Sequence, residues 1–165
     1  MKKYFLLIMF TFSFLISCSS DETTTYYLIR HAEKDRTDKL DRNPNLSFEG
    51  EKRAQKWAEY FKDIDLDAVY STDFNRTIQT ATPTAKGQKL EIQRYNPSEM
   101  YDSIFQKTTI GKTVLVVGHS NTTPMFANKI LGENKFENMD DHDNASLYIV
   151  TISGNKISSK IEKVD

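Results

Sequence analysis

Two short apolar runs constrain this chain more than any other feature. Tyr27-Leu28-Ile29 and Val114-Leu115-Val116-Val117 combine aromatic and β-branched residues, which reads as two buried strands. Each run ends on residue types that do chemistry: Arg30-His31 follows the first and Gly118-His119 the second. In an open α/β sheet, ligands bind beyond the C-terminal ends of the parallel strands. Both histidines are therefore expected along one sheet edge.

The remaining segments supply what such a sheet needs. The first strand covers residues 25–30. Residues 32–45 are crowded with charge and interrupted by Pro44, which reads as a solvated loop over the strand end. Ser47 is a candidate N-cap, and Ala54, Trp57, Ala58 and Phe61 recur at helical spacing, predicting a helix to about Lys62 with Trp57 as a core anchor. Residues 66–71 read as the second strand. A helix starting at Thr72 or Asp73 carries Arg76 one turn in; Pro83 kinks or ends it, and Gly87 closes the segment. Residues 91–93 make a short edge strand, and residues 98–110 a helix with Met100, Ile104 and Phe105 facing inward.

After the central strand at 114–117, Thr123 is expected to cap a helix with Pro124 in its first turn and Gly132 at its stop. Residues 133–144 are polar and loop-like. Residues 146–152 and 156–163 form a hairpin around Ser153-Gly154-Asn155. Strands alternating with helices predict an α/β fold, a three-layer α/β/α sandwich whose mainly parallel sheet ends in an antiparallel edge. At 165 residues the chain suits one domain.

Residues 1–17 read as an export signal. Met1-Lys2-Lys3 is basic, residues 4–16 are apolar but short for a bilayer span, and Leu15-Ile16-Ser17-Cys18 resembles the bacterial lipobox. Cys18 is then the lipidated first residue of the mature protein. Residues 18–25 are its polar tether, and the functional domain, residues 26–165, is held at the cell-envelope membrane, facing the periplasm or the exterior. A single cysteine excludes an internal disulfide. Charged residues make up 27% of the chain and nearly balance, so no polybasic surface points to nucleic acid. A monomer is expected.

Arg30, His31, Arg76 and His119 each fall just past a strand or in the first turn of the next helix, so the topology can bring them together. Guanidinium groups clamp a tetrahedral oxyanion through charge-assisted, bidentate bonds. A neutral imidazole is a nucleophile near neutral pH, and a protonated one stabilises added negative charge. Two arginines and an imidazolium around a second histidine make a phosphate pocket with an attacking nitrogen inside it. The guanidinium groups supply the electrostatics, so no metal or other cofactor is expected. His142, in Asp140-Asp141-His142-Asp143, lacks a second histidine at ligand spacing and reads as solvated loop.

The sequence around these residues resembles the histidine phosphatase superfamily, branch 1, whose fold is phosphoglycerate mutase-like. The resemblance rests on Arg30-His31-Ala32-Glu33, Leu46-Ser47-Phe48-Glu49-Gly50, Tyr70-Ser71-Thr72-Asp73-Phe74-Asn75-Arg76-Thr77-Ile78-Gln79-Thr80-Ala81 and Gly118-His119-Ser120-Asn121, in the family's order. It implies that His31 attacks the phosphoryl group, becomes phosphohistidine and is released by water. Arg30 and Arg76 would bind the phosphoryl oxygens with His119 beside them, and the Asn121 amide would support the pocket or cap a helix. The family's first motif commonly reads Arg-His-Gly; Ala32 keeps a small residue at the third position.

Many relatives carry a glutamate after the Arg76 helix that protonates the leaving group. Glu99 lies at about that distance and Asp102 is an alternative, neither in a recognisable motif. Little chain separates that helix from the strand before His119, which leaves no room for the insertions that enclose a mutase pocket. Hydrolysis is therefore expected over transfer. The expectation is a metal-independent phosphatase acting on phosphomonoesters of small molecules or envelope glycans, similar in size to the family's small phosphohistidine phosphatases. The alternative is a non-catalytic phosphoglycan-binding lipoprotein on the same fold.

Overall fold

The computed structural model describes residues 22–164. The expected signal at 1–17 and the lipidation site Cys18 lie outside the described residues. Strands β1 (Thr23–Arg30), β2 (Ala68–Ser71), β3 (Ile92–Arg94), β4 (Thr113–Gly118), β5 (Ser146–Ser153) and β6 (Lys156–Lys163) form one sheet in the order β3-β2-β4-β1-β5-β6. β1 to β4 run parallel, and β5 and β6 add the antiparallel edge. Helices α1 (Phe48–Phe61), α2 (Asn75–Gly87), α3 (Ser103–Thr109) and α4 (Thr122–Leu131) cover the two faces.

Successive strand residues point to opposite faces, and here both faces are buried. Tyr26, Leu28, Val114 and Val116 pack with Phe105 of α3 and Phe126 of α4. Ile29, Leu115 and Val117 pack with Trp57 and Phe61 of α1 and with Ala81 and Ala85 of α2. Both runs are apolar at every position because neither side of the sheet is wet. Trp57 is buried in this second core.

Several local expectations change. β1 begins at Thr23, inside the stretch read as tether, and Thr24 is buried. α2 starts at Asn75 because Asp73 pairs with Arg94 and the Thr72 hydroxyl is bonded to Thr77 and His119, leaving neither to cap. It also runs through Pro83 to Gly87: burial of Ala81, Thr84 and Ala85 outweighs the hydrogen bond that proline cannot make. The predicted 98–110 helix shortens to α3, since Tyr101 takes a left-handed φ of 57° and Asp102 caps the helix, accepting from the Phe105 N–H at 2.7 Å. That phase buries Met100 and Phe105 but leaves Ile104 69% exposed. α4 starts after Asn121, and Thr123 lies inside its first turn, donating its hydroxyl to the Ile29 carbonyl at 3.1 Å.

The loop at 32–45 is more ordered than solvated charge implies. Lys34 bridges Leu46 at its base, and Asp35, Asp38 and Asp41 each accept a backbone N–H two residues on. Ser47 caps α1, accepting from the Gly50 N–H at 3.2 Å, and donates its own N–H to the Glu33 carbonyl at 2.9 Å. A Cβ on Gly50 would overlap that same carbonyl oxygen, so only glycine lets α1 approach the loop behind His31. Gly50→Ala is expected to cost about 2–3 kcal/mol, the upper part of the overpacking range. Gly87→Ala, with nothing within 4 Å of its added carbon, is expected to be near neutral. Denaturant midpoints of the two variants check this.

Candidate active site

Strand register builds the site. Arg30 pairs with Gly118 across β1 and β4, and Ser71 pairs with Val117 across β2 and β4. His31 and His119 therefore leave adjacent strands at one level, and Thr72 leaves the third strand one position short of them. The His31 N–H donates to the Gly118 carbonyl at 2.9 Å, and buried Asn144 donates to the His31 carbonyl at 2.8 Å. The Ala32 N–H donates to Thr80 Oγ1 at 2.9 Å, and the Thr80 hydroxyl donates to the Arg76 carbonyl at 2.7 Å. These bonds tie the end of β1 to the first turn of α2.

The two imidazole rings lie 5.4 Å apart, centroid to centroid. Arg76 brings Nη2 to 3.5 Å from His119 Nδ1 and lays its guanidinium over the Phe74 ring at 4.5 Å. Ala32 is fully buried against Leu46 and Ala54, which fits a small residue at that position. His31 Nδ1 lies 2.7 Å from the Ala32 carbonyl oxygen, which only accepts. Nδ1 therefore carries the proton, and Nε2 keeps its lone pair for attack.

Burial, with Arg76, His119 and Arg30 nearby, pushes the His31 pKa down to about 3, against the opposing pull of the Ala32 carbonyl. Burial, Arg76, Arg30 and Lys34 push His119 down to about 4. The Arg76 guanidinium is itself lowered by burial and by Arg30. Burial among cations thus holds the His31 imidazole neutral.

Arg30, 2% exposed, uses its fork differently from the expected phosphate clamp. Nη1 donates to the Asp140 carbonyl at 2.8 Å, and Nη2 meets the Asp141 carboxylate at 2.7 Å. Arg36 holds the other Asp141 oxygen at 2.8 Å. Arg30 Nε and Arg76 Nε and Nη1 are buried without a partner among the described residues. Buried donors of this kind are costly unless an acceptor reaches them, and a phosphoryl group supplies several acceptors. Arg76 is thus the freer clamp, and Arg30 also braces the loop at 140–143.

Of the two carboxylates weighed as a leaving-group acid, neither lies beside the histidines. Asp102 caps α3, and Glu99 is exposed in a recess with Tyr70, Gln93, Tyr95 and Met100, which none of the four pocket residues lines. The carboxylates lining the recess of about 130 Å³ beside His31 are Glu33 and Asp141, bound to Arg53 and to Arg30 with Arg36. Asn121 is exposed, and its side chain makes no bond to the helix it starts. His142 is exposed and pairs with Asp140 at 3.3 Å. Sequence reasoning missed Thr72, Thr77, Asn144 and Asp141. Thr72 ends a strand as the histidines do and was open to the same argument; the two loop residues carried no periodic signal.

Residues 26–96 match the model of the histidine phosphatase superfamily (branch 1). A structure assigned as the phosphohistidine phosphatase SixA from Agrobacterium tumefaciens superposes with a TM-score of 0.61 at 19% identity, over 84% of this chain and 97% of that one. Phosphoglycerate mutase from Bacillus anthracis strain Sterne gives 0.66 at 17%, over 88% and 94%. A mycobacterial glucosyl-3-phosphoglycerate phosphatase gives 0.62 at 11%, over 86% and 98%. At such identities the likeness establishes the fold. No curated protein sequence gives a significant match. Residues 26–96 thus resemble the histidine phosphatase superfamily, branch 1, and the chain has the phosphoglycerate mutase-like fold.

Because both pocket histidines are neutral in the fold where free imidazoles, with a pKa near ~6.5, are protonated, the unfolded chain binds more protons between about pH 6.5 and pH 4. Their contribution to stability is therefore complete above that window and is lost as pH falls through it. In a side-chain nitrogen NMR titration, both rings should remain neutral at pH 5, and inorganic phosphate should raise the protonation of His119. A His31 that titrates at the free value contradicts this account.

Proposed function

We propose that the protein hydrolyses phosphomonoesters at the bacterial cell envelope, through a phosphohistidine on His31, while a lipid on Cys18 holds it to the membrane. The observation that carries the catalytic part is the set of buried, unpartnered guanidinium N–H groups beside a histidine whose Nδ1 proton is committed to the Ala32 carbonyl. Arg76 and the free Nε of Arg30 would receive the phosphoryl oxygens. His31 Nε2 forms the N–P bond as the P–O bond to the leaving group breaks, and the electron pair departs on that oxygen. Positive charge on the ring strengthens the Nδ1–H bond to Ala32. Water then attacks phosphorus, inorganic phosphate leaves, and Nε2 is regenerated. The guanidinium groups carry the added charge, so no metal is required.

The leaving oxygen would meet no carboxylic acid, which favours substrates whose leaving group departs without a proton. Aryl phosphates meet that condition, as would a phosphorylated imidazole, the substrate type named for the Agrobacterium structure. The envelope assignment rests on the N-terminal sequence: a basic start, a short apolar stretch and Leu15-Ile16-Ser17-Cys18.

The full-length protein is expected to hydrolyse p-nitrophenyl phosphate in the presence of EDTA. A simple alkyl phosphate should be turned over about a hundredfold less efficiently, the scale of a missing general acid. His31→Ala should lose at least about a thousandfold in kcat, and radiolabelled phosphate trapped by acid-free quenching should map to His31 alone. Phosphate binding without turnover would replace this reading by the non-catalytic phosphoglycan-binding one. Separately, metabolic labelling with a radioactive fatty acid should mark the wild type and not Cys18→Ala.

A further inference from the structure

We propose that Thr72 is a positioning residue for His119: through a one-directional chain of hydroxyls from Thr77, it keeps the His119 proton on Nε2 and leaves Nδ1 as the nitrogen presented to the phosphoryl group. The consequence for catalysis rests on the phosphatase reading; the proton's location does not.

The chain of bonds has a fixed sense. Thr77 Oγ1 donates to the Thr72 and Phe74 carbonyl oxygens, each at 2.9 Å. A hydroxyl has a single proton and a carbonyl only accepts, so toward Thr72 the Thr77 oxygen acts as acceptor. Thr72 Oγ1 donates to it at 3.0 Å. The Thr72 proton is thereby spent. His119 Nε2, 2.9 Å from the same oxygen, is left to donate. The Ser71 hydroxyl also donates to the Thr72 carbonyl at 2.9 Å, and the His119 N–H donates to Thr122 Oγ1 at 2.9 Å. Thr72 and Thr77 are both fully buried, so water does not compete for their protons.

With Nε2 protonated, the neutral ring turns the lone pair of Nδ1 toward Arg76 Nη2 at 3.5 Å, donor against acceptor. The opposite tautomer would set N–H against N–H there and lone pair against lone pair at Thr72. The groups around His119 are Arg76 of α2, Arg30 at the end of β1, Lys34 of the following loop and the neutral His31. None is an acid. A phosphoryl oxygen entering beside Arg76 is then the acceptor that a proton arriving on Nδ1 can serve. His119 becomes a donor only when the charge it must stabilise is present, and Thr72 decides which of its nitrogens does so.

The test uses full-length protein labelled with nitrogen-15 in histidine. The wild type should show the Nε2–H tautomer of His119 at pH 7. Thr72→Ser should retain it, while Thr72→Val should give a mixture or the Nδ1–H form. With p-nitrophenyl phosphate, Thr72→Val should lower kcat by about tenfold to a hundredfold, with KM within about threefold and the acid limb of the pH profile displaced. Thr72→Ser should recover kcat to within about threefold of wild type. An Nδ1–H tautomer in the wild type overturns the proposal, and so does a Thr72→Val variant with unchanged tautomer and kcat. A Thr72→Ser variant as slow as Thr72→Val, with its tautomer intact, overturns it as well. Failure of the wild type to turn over any phosphate ester would defeat the phosphatase reading instead, and the NMR arm would still decide the position of the proton.

Discussion

The pairing of β1 against β4 is the constraint on which everything else depends. With Arg30 opposite Gly118, the residues that end two different strands emerge side by side. A slip of one residue would turn every side chain of β1 to the other face. It would take Tyr26 and Leu28 away from Phe105 and Phe126 while drawing His31 away from His119. Burial on both faces therefore enforces the alignment of the site: the contacts that stabilise the sheet also place His31 beside His119. Gly118 completes the arrangement, because a Cβ there would lie 2.8 Å from Thr122 Oγ1 and 3.0 Å from the Tyr95 hydroxyl. The chain can turn from β4 into α4 at that point because nothing projects from it.

Charge explains the chemistry of the pocket better than any single residue. Two guanidinium groups and two imidazoles share a largely buried space, and the groups able to shed protons do so. His31 is kept neutral by burial and neighbouring cations, and its tautomer is set by one backbone carbonyl. On the proposed reading, an incoming phosphoryl group would reverse the balance. It would supply acceptors for the arginine N–H groups that lack a partner among the described residues and offset the penalty against an imidazolium at His119.

Much of this was legible in the sequence because it depends on position along strands. The two apolar runs, Ser47 as a cap, Gly132 as a stop and the terminal hairpin all follow from local pattern, and the four pocket residues follow from lying just past strand ends. What was not legible depends on contacts between distant segments. The start of α2 is decided by bonds from Thr72 to His119 and from Asp73 to Arg94, which propensity does not register. α3 is cut short by one left-handed residue, Tyr101. The loop at 133–144 has no period at all, yet it delivers Asn144 to the His31 carbonyl and Asp141 to Arg30.

That loop and Arg30 form a closed circuit. Arg30 holds the Asp140 carbonyl and the Asp141 carboxylate, Asn144 a few residues on holds the His31 carbonyl, and His31 follows Arg30 in the chain. An arginine freed to wrap a phosphate completely would leave the loop unbraced and the His31 backbone with one support fewer. On the proposed reading the labour divides: Arg30 gives most of its fork to rigidity, while Arg76, whose Nε and Nη1 have no partner among the described residues, would carry more of the anion. Both carboxylates lining the recess beside His31 are themselves paired with arginines, and the two imidazoles turn the lone pairs of His31 Nε2 and His119 Nδ1 into a pocket otherwise rich in donors. On the proposed reading, such a pocket would hold the phosphoryl group and leave departure of the other half of the substrate to that half's own stability as an anion.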